Sequence, residues 1–92
     1  MYLNTLAAST VRADSGNDRV FVADMYRNMV SRCEDEGMTL AEFKALLLSC
    51  HMAGLVVLTR CDLVMAYGVS KVEESKIVRG HSTEYHFVAI RG

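Results

Sequence analysis

At 92 residues the chain has room for one small domain and not for two. Its 51% apolar and 23% charged residues place it with compact domains rather than disordered chains, and a net charge of −1 removes the general electrostatic argument for nucleic-acid binding. No apolar run approaches the roughly 20 residues of a membrane helix, and residues 1–10 lack the basic start and sustained apolar stretch of a secretory signal, so no membrane association and a cytoplasmic location are expected.

In chain order, residues 1–17 read as a flexible N-terminal arm leading into the polar, turn-rich loop 9–17, with Leu3 and Leu6 as the side chains able to dock. A single domain over 18–92 follows. Asp18 is positioned to cap a helix over 18–34, in which Val22, Met25, Tyr26, Met29, Val30 and Cys33 recur at three- and four-residue intervals. Gly37 supplies its stop, after the acidic run Glu34-Asp35-Glu36.

Thr39-Leu40-Ala41-Glu42 is a capping box, in which hydroxyl and carboxylate each satisfy a free amide at a helix start. It opens a helix over 39–53 with Leu40, Phe43, Leu47 and Cys50 on one stripe, widened by Leu46 and ended by Gly54. Residues 55–59, Leu-Val-Val-Leu-Thr, have the β-branched content of a buried strand. Residues 60–75 then read as two short helical pieces on either side of Gly68, with Asp62 as the cap of the first and Ser70-Lys71-Val72-Glu73 as a capping box for the second. Residues 76–79 and 84–90 are strand-like, and 80–83 form the loop of a C-terminal hairpin. The fold class is therefore α+β, helices followed by a β-hairpin.

The chain has three cysteines, Cys33, Cys50 and Cys61, an odd number without close pairing. That argues against a disulfide framework and against a zinc site, for which Cys33, Cys50, His51 and Cys61 would have to converge. Arg60 and Asp62 flank Cys61 just after the strand, and could pair with each other or with Glu73. His51, His81 and His86 invite an acid–base reading, with Glu84 on the same strand face as His86. No nucleophile, HExxH, GxSxG or Gly-rich phosphate loop accompanies them, so neither an enzyme nor a cofactor is expected.

The helix 18–34, the capped helix 39–53 running through His51-Met52-Ala53-Gly54-Leu55-Val56, and the closing hairpin together resemble a winged helix-turn-helix domain over about 18–90. The segments Met38-Thr39-Leu40, Glu42-Phe43-Lys44, Gly54-Leu55, Asp62-Leu63-Val64 and His86-Phe87-Val88 are also similar to uncharacterised bacterial proteins. The winged-helix resemblance departs from the family's pattern at 60–75, an unusually long insertion before the hairpin. It implies a bacterial or phage DNA-binding regulator, with 39–53 as the recognition helix presenting Lys44, Ser49 and His51, and a wing presenting Lys76, Arg79 and His81 to double-stranded DNA. The same residues also fit a solvated helix face and a hairpin tip.

Two sequence features bear on the choice of partner. Arg60, Lys71, Lys76, Arg79 and Arg91 slightly outnumber the acids after residue 60, whereas helix 39–53 carries one lysine and no arginine, thin equipment for a groove reader. The alternative is a protein-interaction or accessory subunit using Tyr85, Phe87 and Val88, because 84–90 is apolar on both strand faces and must be wrapped by its own core or by another chain. A homodimer suits either function.

Overall fold

The computed structural model describes residues 2–14 and 18–90. Ser15, Gly16 and Asn17 of the expected loop lie outside the described residues, as do Met1, Arg91 and Gly92. The chain runs α1 (Tyr2–Ala8), β1 (Arg19–Phe21), α2 (Val22–Ser31), α3 (Leu40–Met52), β2 (Val57–Thr59), α4 (Val64–Tyr67), α5 (Val69–Ser75), β3 (Ile77–Arg79), β4 (Thr83–Tyr85) and β5 (Phe87–Ala89). The class is α+β, as its apolar periodicities imply.

The segment expected as an arm instead begins with a docked helix. Leu3, Leu6 and Ala7 share one face of α1 and are buried in the main core. The Asn4 side-chain amide donates to the Leu55 carbonyl at 3.1 Å, which ties α1 to the far end of α3. A seven-residue helix is too short to persist alone, so its order comes from these contacts, which are invisible to local propensity.

The helix expected from residue 18 starts four residues later. Arg19, Val20 and Phe21 pair instead with β5, because both Val20 and Phe21 find a covered face of the sheet. The free amides at the start of α2 are satisfied from other elements and not by Asp18: Val22 N–H donates to the His86 carbonyl at 3.1 Å, and Ala23 N–H to Ser75 Oγ at 3.2 Å. The helix stops at Arg32, before Gly37. Cys33 N–H bonds the Val30 carbonyl and Glu34 N–H the Met29 carbonyl, with Cys33 itself in the left-handed region at φ 58°.

The capping box of α3 forms as expected, with Glu42 N–H on Thr39 Oγ1 at 3.1 Å and Thr39 N–H on Glu42 Oε1 at 2.9 Å. The helix ends on Gly54 at φ 77°, where Gly54 N–H reaches the His51 carbonyl and Leu55 N–H the Cys50 carbonyl. This is the pattern seen at Cys33, here with the residue type that adopts it freely. Gly68, at φ 93°, separates α4 from α5. The expected caps of these two short helices do not form. Leu63 and Gly68 occupy the cap positions without side-chain bonds, and Asp62 faces Arg60 across 3.8 Å at the surface.

The strands make two antiparallel sheets, one ordered β1-β5-β2 and one the β3-β4 hairpin. The expected strand 84–90 is therefore broken at His86. Its first part closes the hairpin, and its second part becomes the centre of the other sheet. The registers Val20↔Val88↔Leu58 and Phe21↔Phe87↔Thr59 sort the larger sheet into two faces. Val20, Leu58 and Val88 pack into the main core with Leu6, Met25, Phe43 and Leu47. Phe21 and Phe87 face the other way, against Cys61 and Val72, with Val64 and Tyr67 alongside. The 60–75 insertion is thus a cover over the second face.

Candidate binding surfaces

The residues expected to meet DNA separate into three settings. Lys44 lies on the half-buried edge of α3, where burial pushes its ammonium pKa below the ordinary lysine value, with Glu74, Lys76 and Glu73 in its field. Lys76, half-buried, pairs with Glu73 at 3.3 Å. Arg79 and His81 are exposed on the hairpin, and Arg79 donates to the Tyr85 hydroxyl at 3.3 Å. Ser49 is exposed on the opposite side of α3 from the core.

His51 does not face outward as expected. Its ring turns back on β2, where Nδ1 accepts from Leu58 N–H at 3.2 Å, and packs edge-on against Tyr85 with centroids 4.9 Å apart. The physical reason is its place in the last turn of α3, directly before the Gly54 reversal that brings β2 alongside. The structure therefore brings Lys44 and His51 toward the β3-β4 side and leaves Ser49 apart from them.

Of the residues expected to meet a partner, Phe87 and Val88 are fully buried at 0% exposure, one on each face of the sheet. They are core, because the chain wraps β5 itself, with helices on one side and the 60–75 cover on the other. Tyr85 is half-buried between His51 and Arg79.

Most cations that could give a positive stripe are engaged by acids. Arg27 bonds Glu74 and lies 3.5 Å from Asp24, Lys71 bonds Asp24, Lys76 bonds Glu73 and Arg60 faces Asp62. Glu74 is held below the usual carboxylate range chiefly by its hydrogen bond from Arg27. Among the described residues Lys44 and Arg79 form no ion pair.

Sequence reasoning took the outward side of α3 as a recognition surface through Lys44, Ser49 and His51 and missed that it is largely apolar. Ala41, Glu42, Ala45, Leu46, Ser49 and Met52 are exposed along it, continued by Leu55 beyond the Gly54 turn. Leu46 is 38% and Met52 57% exposed. The face carries one acid and no cation. Its signal was present in the sequence: α3 is apolar nearly all round, so one core-facing stripe had to leave others in water. A second apolar patch lies around α4, where Leu63 before it, Met65 on it and Val69 at the start of α5 are exposed beside an open groove of about 490 Å³ lined by residues 62–66.

His86 is buried. Its Nδ1 accepts from Cys61 N–H at 3.0 Å, and its Nε2 lies 3.7 Å from Glu84 Oε1, the pairing their same-face spacing implies. Arg60 and Asp62 face each other at the surface, whereas His86 is buried. Among the described residues no group of three or more His, Cys, Asp or Glu side chains is placed to hold a metal ion, and no helix is long and apolar enough to cross a membrane. Cys33 is exposed, whereas Cys50 and Cys61 are buried as free thiols.

Compared with family models, curated proteins and solved structures, the chain matches none.

Proposed function

We propose that this is a small non-enzymatic binding protein with a winged-helix-like frame, acting on protein through the outward face of α3. The frame is supported by the order α1, β1, α2, α3, β2, then α4 and α5, the β3-β4 hairpin and β5, by the β1-β5-β2 sheet, and by the exposed outward side of α3. The observation that carries the choice of partner is that this face holds Ala41, Ala45, Leu46, Ser49 and Met52 with Glu42 and no cation. A helix that reads DNA needs lysine or arginine directed at phosphate and base edges. An apolar face with small residues suits close helix-to-protein contact instead. A second copy of the chain is the first partner to test, because a twofold axis sets one such patch against itself.

The experiment combines sedimentation equilibrium across a concentration series with titration of mixed-sequence duplex DNA at low and at physiological salt. The expected result is self-association that is lost in Leu46→Glu, with no DNA binding. A strictly monomeric chain removes the second copy as partner.

The second reading, a winged-helix DNA-binding regulator, rests on Lys44 and Arg79, two cations outside the ion pairs described above, and on the exposed hairpin tip at His81. Salt-sensitive binding lost in Lys76→Ala and Arg79→Ala would establish that reading and overturn the first.

A further inference from the structure

β4 and β5 belong to one run of chain that changes sheet at His86, and this residue is bonded in three directions. Its backbone N–H donates to the Thr59 carbonyl at 2.8 Å, its carbonyl accepts from Val22 N–H at 3.1 Å, and its Nδ1 accepts from Cys61 N–H at 3.0 Å. A ring nitrogen that accepts carries no proton, so the ring is neutral with its proton on Nε2. An imidazolium donates from both nitrogens. On protonation, Cys61 N–H would face a second N–H, and because both residues are buried the amide would be left unpaired away from water.

We propose that His86 is an acid-sensitive latch: its neutral ring pins Cys61, and with it residues 61–68, over Phe21 and Phe87, and its protonation loosens that segment while the helical core stays folded.

The charged groups facing the ring come from three parts of the chain. They are Glu84 on β4, Arg60 after β2, Glu73 on α5 and Lys76 at the end of α5. Burial is the largest influence and holds the imidazole below its ordinary value. Glu84 and Glu73 oppose that shift, and Arg60 and Lys76 reinforce it. A depressed pKa in the closed form means that the opened form takes up the proton first. The latch is therefore intact above about pH 6.5, the ordinary histidine value, and weakens as pH falls toward the closed-form pKa.

His51 is the instructive contrast. Its Nδ1 also accepts a backbone N–H, from Leu58, but the Val56 carbonyl lies 3.4 Å from the same nitrogen and can take a hydrogen bond once the ring is protonated. For His86 Nδ1, Cys61 N–H is the hydrogen-bond partner among the described residues, and a donor cannot accept.

The test is amide hydrogen exchange read residue by residue by NMR at pH 7.5 and pH 5.0, expressed as protection factors. Protection at Cys61, Ala66 and Gly68 should fall about tenfold at the lower pH, the scale of one hydrogen bond, while Leu47 in α3 keeps its protection. His86→Asn places a non-titrating acceptor near the Nδ1 position and should abolish the pH response, whereas His51→Asn should retain it. Should His86→Asn fail to fold, the nitrogen shifts of the wild-type ring decide. The latch requires an unprotonated Nδ1 at pH 7.5 and a titration that tracks the Cys61 exchange. Unchanged protection at pH 5.0, an equal loss at Leu47, a response that persists in His86→Asn, or a proton on Nδ1 at pH 7.5 would each overturn the proposal.

Discussion

The two faces of the β1-β5-β2 sheet are covered by different means. On the first, Val20, Leu58 and Val88 meet Phe43, Leu47, Met25 and Leu6, aliphatic and aromatic groups delivered by three helices. On the second, Phe21 and Phe87 lie 4.7 Å apart under Tyr67, whose ring stands edge-on to both at 5.4 and 5.5 Å. Arg19 stacks over Phe87 at 4.4 Å and donates to the Tyr67 hydroxyl at 3.1 Å, and that hydroxyl bonds Asp14. The hydrogen bond to Asp14, with burial, holds the Tyr67 phenol above its ordinary pKa.

The first face depends on burial of area, which is tolerant of direction. The second depends on ring geometry and single hydrogen bonds supplied by α4 and α5, of four and seven residues, which cannot be stable alone. The second cover should therefore open at lower free energy than the first.

That contrast can be broken most forcefully at Phe43, which is fully buried in the first core. Phe43→Ala should lower unfolding stability by about 3–5 kcal/mol, most of what a domain of this size has, as a drop in the denaturant midpoint for every probe at once. Tyr67→Ala on the second face removes two edge-on ring contacts. It should cost about 1–2 kcal/mol, with exchange at Ala66 and Gly68 accelerated before that of α3. Equal loss of protection in both regions would mean that the covers are one cooperative unit.

Thr59 lies opposite Phe87 with a buried Oγ1 that has no hydrogen-bond partner among the described residues. Thr59→Val should stabilise by about 1 kcal/mol, read as a higher melting temperature. The smallest change is at the exposed end of α2. Cys33→Gly places a residue without a Cβ at φ 58° and should gain about 0.5–1 kcal/mol, measured by chemical denaturation under reducing conditions.

What could be read from the sequence follows the same division. α3 was legible to its cap because Thr39, Glu42 and Gly54 act through neighbours a few residues away. The Gly68 break and the hairpin turn were legible for the same reason. β1 was not, since Arg19, Val20 and Phe21 continue a helical apolar period and become a strand only through pairing with Phe87, Val88 and Ala89. Nor was the helical order of α1: Leu3 and Leu6 could be picked out as docking side chains, but the helix depends on contacts such as Asn4 to Leu55.

The candidate surfaces divide in the same way. The run at 84–90 was correctly read as covered on both faces, but what covers it lies in 60–75, where residues as ordinary as Cys61, Val64 and Val72 take meaning only from position. His51 could be placed on a helix by its spacing, whereas its turn toward Leu58 depends on the path of β2.

The central strand of the sheet is also the last of the strands in chain order, and β1 and β2 pair with it and not with each other. During synthesis the first two strands wait, unpaired, until β5 emerges, and the loop that must close between β1 and β5 spans most of the chain. Helices α2 and α3 can meet well before that moment. The sheet should consequently form late, as a non-local closing event slow relative to helix docking, and until it forms the edges of β1 and β2 stay open to pairing with other chains.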